Sequence, residues 1–215
     1  MRWPLLSLCG LLLLFTQMRA EVVYTTIGSG AQAESFPVGL VDGTNRQWAV
    51  AFKPYAEYTL TRIALPLCVV APPGAMTLEL AADENGAPGT PIETFQIDVT
   101  AAKPTIYTIA SVKHPRLERD TQYWITAHAA SPAQIWWANP AVGAYWTGYV
   151  MAFRERGEWS VNADREAPGI IVYGKPVKTA SEAHGLLTVP PSPDCQRPIL
   201  ARIVVEDYGQ GASTG

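Results

Sequence analysis

Residues 76–99 read MTLELAADENGAPGTPIETFQIDV, the clearest run of strand and turn signals in the chain. In the first part, apolar Met and Leu residues alternate with Thr and Glu, which is the period of a strand with one buried face. Asn85–Gly86 can adopt the positive φ angles that a tight turn requires, and Pro88–Gly89 favours a second turn. The stretch therefore predicts two strands, over Met76–Ala81 and Ile92–Val99.

The same pattern extends through the chain, because short β-rich runs recur between Pro, Gly, Asn and Asp clusters and helical periodicity is almost absent. This pattern is typical of an all-β protein, and we expect an antiparallel two-sheet β-sandwich of the jelly-roll type. Further strands are predicted over Gln47–Lys53, Tyr58–Leu67, Thr105–Ala110, Gln122–Ala127, Gln134–Ala138, Tyr149–Arg154 and Gly169–Tyr173.

One predicted strand, YTLTRIALPL at residues 58–67, changes phase along its length. Tyr58 and Leu60 lie on one face of an ideal strand, whereas the later Ile and Leu residues lie on the other. A bulge or bend near Thr61–Arg62 would let both sets point into the core.

The first twenty residues, MRWPLLSLCGLLLLFTQMRA, have a positive start and an uncharged apolar run. The run is shorter than the roughly 20 residues of a spanning helix and is typical of a signal peptide. Cleavage is expected after Ala20, and no later apolar run is long enough to cross a membrane. We therefore expect a secreted protein, periplasmic or extracellular, that does not span the membrane after cleavage.

The expected organisation has four parts. Residues 1–20 form the signal peptide and residues 21–175 the β-sandwich domain. Residues 176–198 form a linker, because Pro190, Pro191, Pro193 and Pro198 prevent regular structure there. Residues 199–215 hold one more strand, Ile199–Asp207, and a flexible tail.

Composition excludes some functions. Of the 215 residues, 16% are charged and the formal net charge is −3, so the chain lacks the basic footprint of a nucleic-acid binder. Two cysteines remain after the signal peptide, Cys68 and Cys195, and an oxidising compartment would permit one disulfide between them. The alternative is that Cys68, in the apolar LPLCVV, is a buried thiol.

Catalytic and metal-binding patterns are absent from the sequence. The three histidines have no metal-ligand spacing, and neither a nucleophile elbow nor a phosphate-binding glycine loop is present. Asp83, Glu84 and Asn85 could hold a cation, but turn formation explains them better. The acidic residues are scattered over turns, and no pair stands out as the two carboxylates of a glycan hydrolase. We therefore expect no catalytic residues, no metal and no cofactor.

An aromatic cluster is the best candidate for a binding site: Trp136, Trp137, Tyr145, Trp146, Tyr149 and Trp159. Adjacent residues of a strand point to opposite faces, so Trp136 and Trp137 cannot both enter the core. Exposed aromatic faces are surfaces on which sugar rings stack. The alternative is that most of these rings are core or loop-packing residues, since Trp and Tyr are largely buried on average.

Six stretches also occur in an order that is similar to a known family: QWAVAFKP, YTLTRIALPL, LELAADENGAPGTPI, LERDTQYWITA, IWWA and IIVYG. They resemble the jelly-roll domains of bacterial secreted and surface proteins called choice-of-anchor domains. The resemblance implies export, a two-sheet sandwich and attachment through varied C-terminal signals, none of which is recognisable here. It implies no catalytic residues.

These observations favour a secreted, non-catalytic β-sandwich protein with a structural or adhesive role at or outside the cell surface. One alternative is a carbohydrate-binding module that uses the aromatic cluster, and another is an uncharacterised glycan hydrolase. The expected partners are a glycan or a surface protein, and not a nucleic acid.

Overall fold

The computed structural model describes residues 19–27, 32–70, 74–129, 133–140 and 149–178, and these form antiparallel β-structure with no helix. The described residues accordingly contain no helix that is long and apolar enough to cross a membrane. The all-β prediction is therefore confirmed. The thirteen described strands are β1 Glu21–Thr25, β2 Gln32–Val41, β3 Thr44–Phe52, β4 Tyr58–Val69, β5 Gly74–Glu84, β6 Ala87–Val99, β7 Thr105–Ala110, β8 Arg116–Leu117, β9 Tyr123–Ala129, β10 Gln134–Pro140, β11 Tyr149–Arg154, β12 Ser160–Arg165 and β13 Ile171–Pro176.

The strands form a curled antiparallel sheet in the order β1-β13-β4-β10-β2-β3-β9-β5-β6. Strands β7 and β8 pair with the edge of β4 that lies opposite β13. Strand β11 pairs with the edge of β3 that lies opposite β9, and β12 pairs with β11. The strands fall into two groups. One contains β1, β2, β4, β7, β8, β10 and β13, and the other contains β5, β6, β9, β11 and β12. Strand β3 joins the groups, because it pairs with β2 at its start and with β9 and β11 further along.

The long strand β4 contains the predicted bulge. Arg62 lies opposite Tyr173 of β13 and Leu60 lies opposite Gly174, so Thr61 is the extra residue on β4. The Thr61 hydroxyl donates a hydrogen bond of 3.0 Å to the Tyr173 carbonyl oxygen. Both apolar sets of β4 are consequently buried, and the bulge prediction is confirmed.

The tight turn predicted at Asn85–Gly86 is present between β5 and β6. The second turn predicted at Pro88–Gly89 is not formed, because these residues belong to β6, where Pro88 pairs with Asp83 of β5. Asn85 has a φ of 57° and Gly86 a φ of 82°, the left-handed pair of a tight hairpin. The Gly86 amide donates to the Asp83 carboxylate over 3.0 Å. Glu84 accepts bonds from the Thr90 amide and hydroxyl, so both acids of the turn bind their own hairpin.

Side chains from both groups of strands bury a common apolar core. Leu60 and Ile63 of β4 are fully buried in it, as are Leu78 of β5 and Ile125 of β9. A smaller cluster lies on the opposite face of β9, where fully buried Trp124 packs among alanines of neighbouring strands. These alanines are Ala49, Ala51, Ala81 and Ala152.

Every predicted strand that falls on described residues is present, although most bounds differ by a few residues. The strand predicted over Gly169–Tyr173 instead runs as β13, so the first residue of the predicted linker is still in a strand. Strands β1, β2, β8 and β12 were not predicted. The compact unit that contains these strands ends at Val177, and the predicted strand Ile199–Asp207 and residues 1–18 lie outside the described residues.

Candidate functional site

The described members of the predicted aromatic cluster, Trp136, Trp137, Tyr149 and Trp159, lie on different parts of the sheet. Trp136 and Trp137 point to opposite faces of β10, as strand geometry requires. Trp137 is fully buried, and its indole N–H donates a bond of 2.8 Å to the Gly169 carbonyl oxygen. Trp136 is 40% exposed on the other face. The two neighbours therefore belong to different environments.

The later aromatic residues lie on another part of the sheet. Tyr149 is half-buried on β11, with its ring centroid 6.5 Å from that of Tyr24. Trp159 precedes β12, and the guanidinium carbon of Arg154 lies 4.6 Å from its ring centroid. Tyr145 and Trp146, which were also predicted to bind ligand, lie outside the described residues.

A different set of aromatic side chains comes together where β3 and β11 pair. Trp48 lies directly opposite Phe153 in this antiparallel pair, with ring centroids 5.7 Å apart. The Phe36 ring of β2 meets Trp48 at 5.1 Å in an edge-on arrangement. The Trp48 indole N–H donates a 2.8 Å bond to the Pro37 carbonyl oxygen. These contacts fix the orientation of both half-buried rings.

An ion pair lies beside these rings. Arg46 lies on β3 and Glu155 directly follows β11. The Arg46 Nε atom lies 3.0 Å from Glu155 Oε1. The Arg46 Nε atom is nevertheless buried and has no hydrogen-bonding partner, so its N–H does not point at the carboxylate. The contact is electrostatic, and a buried N–H donor remains beside the aromatic pair.

The same residues line an open pocket of about 240 Å³. We call it the Trp48 pocket, and the described residues that line it are Arg46, Gln47, Trp48, Phe153 and Glu155. Next to it, an Arg154 side-chain nitrogen donates to Gln47 Oε1 over 2.6 Å. The pocket therefore combines two aromatic rings with a cationic hydrogen-bond donor, Arg46, and an anionic acceptor, Glu155.

Asp83, which was considered above as a cation ligand, forms hydrogen bonds within the protein. Asp83 accepts bonds from the Trp124 indole at 2.7 Å and from the Gln122 amide at 2.6 Å. Burial opposes its ionisation, but these bonds and that of the Gly86 amide outweigh burial and lower the pKa of Asp83. In the described part of the chain, no group of three His, Cys, Asp or Glu side chains is placed to hold a metal ion.

Cys68 lies on β4 opposite Trp136 and is buried. Burial raises the pKa of its thiol, as expected for an unreactive cysteine in apolar surroundings. Within the described residues Cys68 is a free thiol, and Cys195 lies outside them. The pairing of these two cysteines stays a prediction.

The residues of the Trp48 pocket were not singled out from the sequence. Both of their strands were predicted, and QWAVAF and YVMAFR each carry an aromatic residue beside polar ones. That signal is weak, because the pocket exists only through the pairing of β3 with β11, about a hundred residues apart. No protein-family model, curated protein or solved structure matches the chain.

Proposed function

We propose that the protein is a secreted, non-catalytic binding domain that recognises a carbohydrate through the Trp48 pocket. The observation that carries this proposal is the aromatic pair of Trp48 and Phe153 beside the charged pair of Arg46 and Glu155. A sugar ring has apolar C–H faces and a polar edge, and this pocket offers partners for both.

The size and chemistry of the pocket suit one sugar ring. Its volume of about 240 Å³ is smaller than the roughly 300–1,000 Å³ of pockets for drug-sized ligands. Arg46 can donate to hydroxyl oxygens, and the Glu155 carboxylate can accept from hydroxyl groups. Because both side chains are partly exposed, at 32% and 44%, a ligand can reach them without unfolding the strands.

The distribution of carboxylates supports binding over hydrolysis. A typical glycoside hydrolase places two carboxyl groups on either side of the scissile bond. Among the described residues that line the Trp48 pocket, Glu155 is the only acid, and it is paired with Arg46. Among the residues that the structure describes, no comparable geometry favours the hydrolase alternative.

We further propose that the curled sheet is a two-layer sandwich of the jelly-roll type, related to the choice-of-anchor domains that the sequence resembles. The shared core beneath both groups of strands supports this arrangement. Export by the predicted signal peptide would place the domain at or outside the cell surface. A structural or adhesive role there would then act through carbohydrate recognition.

Screening against a broad glycan array, followed by titration calorimetry with oligosaccharides of any glycan that binds, tests the proposal. We expect Phe153→Ala and Glu155→Gln to weaken binding roughly tenfold or more, since each removes one class of contact. The matched control is Tyr55→Ala, which removes an exposed ring that is not among the described residues lining the pocket. Absence of any glycan ligand, or an equal loss with the control variant, would overturn the proposal.

A further inference from the structure

The charged residues of the Trp48 pocket balance each other. Arg46 Nε lies 3.0 Å from Glu155 Oε1, and both side chains are partly exposed, so a ligand that reaches one also lies next to the other. Gln47, the remaining polar residue that lines the pocket in the described part of the chain, is uncharged. The described lining therefore carries one positive charge, one negative charge and no net charge.

The arginines on either side of Glu155 in the sequence are not part of this lining. The guanidinium carbon of Arg154 lies 4.6 Å from the Trp159 ring centroid, and an Arg154 side-chain nitrogen donates to Gln47 Oε1 over 2.6 Å. Neither Arg154 nor Arg156 is among the described residues that line the pocket. They therefore leave the charge balance of the lining unchanged.

The two rings of the pocket supply apolar surface and no hydrogen-bonding group for a ligand. Phe153 has no polar side-chain atom, and the indole N–H of Trp48 already donates to the Pro37 carbonyl oxygen over 2.8 Å. The described side chains that can recognise the polar edge of a sugar are therefore the charged pair and Gln47.

We propose that the Trp48 pocket binds uncharged sugars in preference to acidic and amino sugars, and that the Arg46–Glu155 pair contacts two adjacent hydroxyl groups of the sugar. This inference rests on the proposed carbohydrate function and names the class of sugar. A guanidinium group can only donate hydrogen bonds and a carboxylate can only accept them, whereas a hydroxyl does both. One hydroxyl can therefore accept from Arg46 while its neighbour donates to Glu155.

The closeness of the pair requires the two hydroxyls to be neighbours. The Arg46 Nε atom is buried, so the donors left for a ligand are the terminal guanidinium nitrogens. These nitrogens share a carbon with Nε, which lies 3.0 Å from Glu155, so they too lie close to the carboxylate. Hydroxyls on adjacent ring carbons can reach both groups at once, whereas hydroxyls on opposite sides of the ring cannot.

A charged sugar would meet a like charge in this pocket. The carboxylate of a uronic acid would lie near the Glu155 carboxylate, and the ammonium group of an amino sugar would lie near the Arg46 guanidinium. Like charges that face each other across a contact weaken binding and exclude the wrong partner. The opposite charge of the pair does not compensate, because it is already paired within the protein. An uncharged sugar avoids this cost and still bonds to both side chains.

NMR titration of the purified protein with simple methyl glycosides tests the preference. The probes are methyl glucoside, galactoside and mannoside, each beside its 6-carboxylate and 6-amino forms. For the sugar that binds best, we expect the two charged forms to bind at least roughly tenfold more weakly than the neutral form. Glu155→Gln should shift the ratio of affinities toward the 6-carboxylate form by roughly tenfold, because it leaves the charge of Arg46 without a partner.

The matched control is Glu158→Gln, which removes the same charge from an exposed residue that is not among the described lining. It should leave the ratio unchanged. Equal or tighter binding of the 6-carboxylate form to the unsubstituted protein, or an equal shift with the control, would show that this inference is wrong while the carbohydrate function stands. If no glycoside of any charge binds, the proposed function and this inference both fail.

Deoxy forms of the glycoside that binds best test the contact with adjacent hydroxyls. Removing either hydroxyl of one adjacent pair should weaken binding roughly tenfold, because Arg46 or Glu155 then loses its partner. Removing a hydroxyl outside that pair should have little effect. If the two most sensitive hydroxyls are not on neighbouring carbons, the proposed contact is wrong.

Discussion

Glu93 of β6 and Glu155 beside β11 show two ways in which this fold uses a carboxylate. Glu93 is 3% exposed and accepts bonds from the Ser111 hydroxyl at 2.7 Å and from the Val112 and Lys113 amides at 2.6 and 3.0 Å. Glu155 is 44% exposed in its side chain and meets one arginine. The first carboxylate has all its partners inside the protein, and the second keeps accepting capacity for a ligand.

The position of Glu93 explains its structural role. It lies on β6, whereas its three donors belong to the turn that follows β7, so the carboxylate ties two strands that do not pair. Burial disfavours the charge, but the three hydrogen bonds outweigh burial and lower the pKa of Glu93. Folding therefore favours the ionised side chain.

The largest effect is expected from Glu93→Ala, because it removes a buried carboxylate that accepts hydrogen bonds from three groups of the turn after β7. We expect the free energy of unfolding to fall by about 3 kcal/mol, measured by urea denaturation. Glu155→Ala is the matched control on the exposed side of the comparison and should cost less than about 1 kcal/mol. Equal losses from the two variants would remove the distinction between these carboxylates.

Acid should produce the next largest effect. The pKa of Glu93 is lower in the folded than in the unfolded chain, so its contribution is complete above the unfolded value, about 4.3. That contribution is lost as the pH falls through the folded pKa. Thermal unfolding between pH 7 and pH 3 should therefore show a decline below about pH 4.5. Glu93→Gln, which does not titrate, should be less stable at pH 7 and decline less steeply.

Asp83 should have an intermediate effect, since it is only partly buried. Asp83→Ala leaves the Trp124 indole and the Gln122 amide without their acceptor. We expect a loss of about 1.5 kcal/mol in urea denaturation, about half that of Glu93→Ala. A red shift in tryptophan emission should accompany it, because water gains access to Trp124. Stability equal to that of the unsubstituted chain would show that the turn holds without this carboxylate.

The regular strands could be predicted from the sequence, because alternation and turn residues are local signals. Met76, Leu78 and Leu80 alternate with polar residues, and the phase change near Thr61 predicted the bulge in β4. Strands β2 and β12 were not predicted, and the reasons are also local. In QAESFPVGLV, Pro37 and Gly39 stand between the apolar residues in place of polar ones, and SVNADR is largely polar.

The candidate site was beyond such signals, because it depends on which strands pair. Trp136 and Trp159 lie near one another in the sequence, yet β10 pairs with β2 and β4 while β12 pairs with β11. Trp48 and Phe153 are far apart in the sequence and directly opposed in the sheet. Nearness in the sequence therefore does not indicate which of the described rings lie together in the sheet.

The smallest stability effect is expected at the Arg46–Glu155 pair. Its size tests whether Glu155, unlike Glu93, contributes little to the stability of the fold. Both side chains are partly exposed, so solvent screens their attraction, and a double-mutant cycle of Arg46→Ala with Glu155→Ala should give a coupling below about 1 kcal/mol. Added salt should reduce this coupling further, whereas it should change the stability deficit of Glu93→Ala very little. Each variant should still weaken carbohydrate binding roughly tenfold, because each removes a side chain that hydrogen-bonds to the sugar. A coupling of several kcal/mol would make the pair a structural element like Glu93, and the Trp48 pocket would then lack the free polar groups that recognition requires.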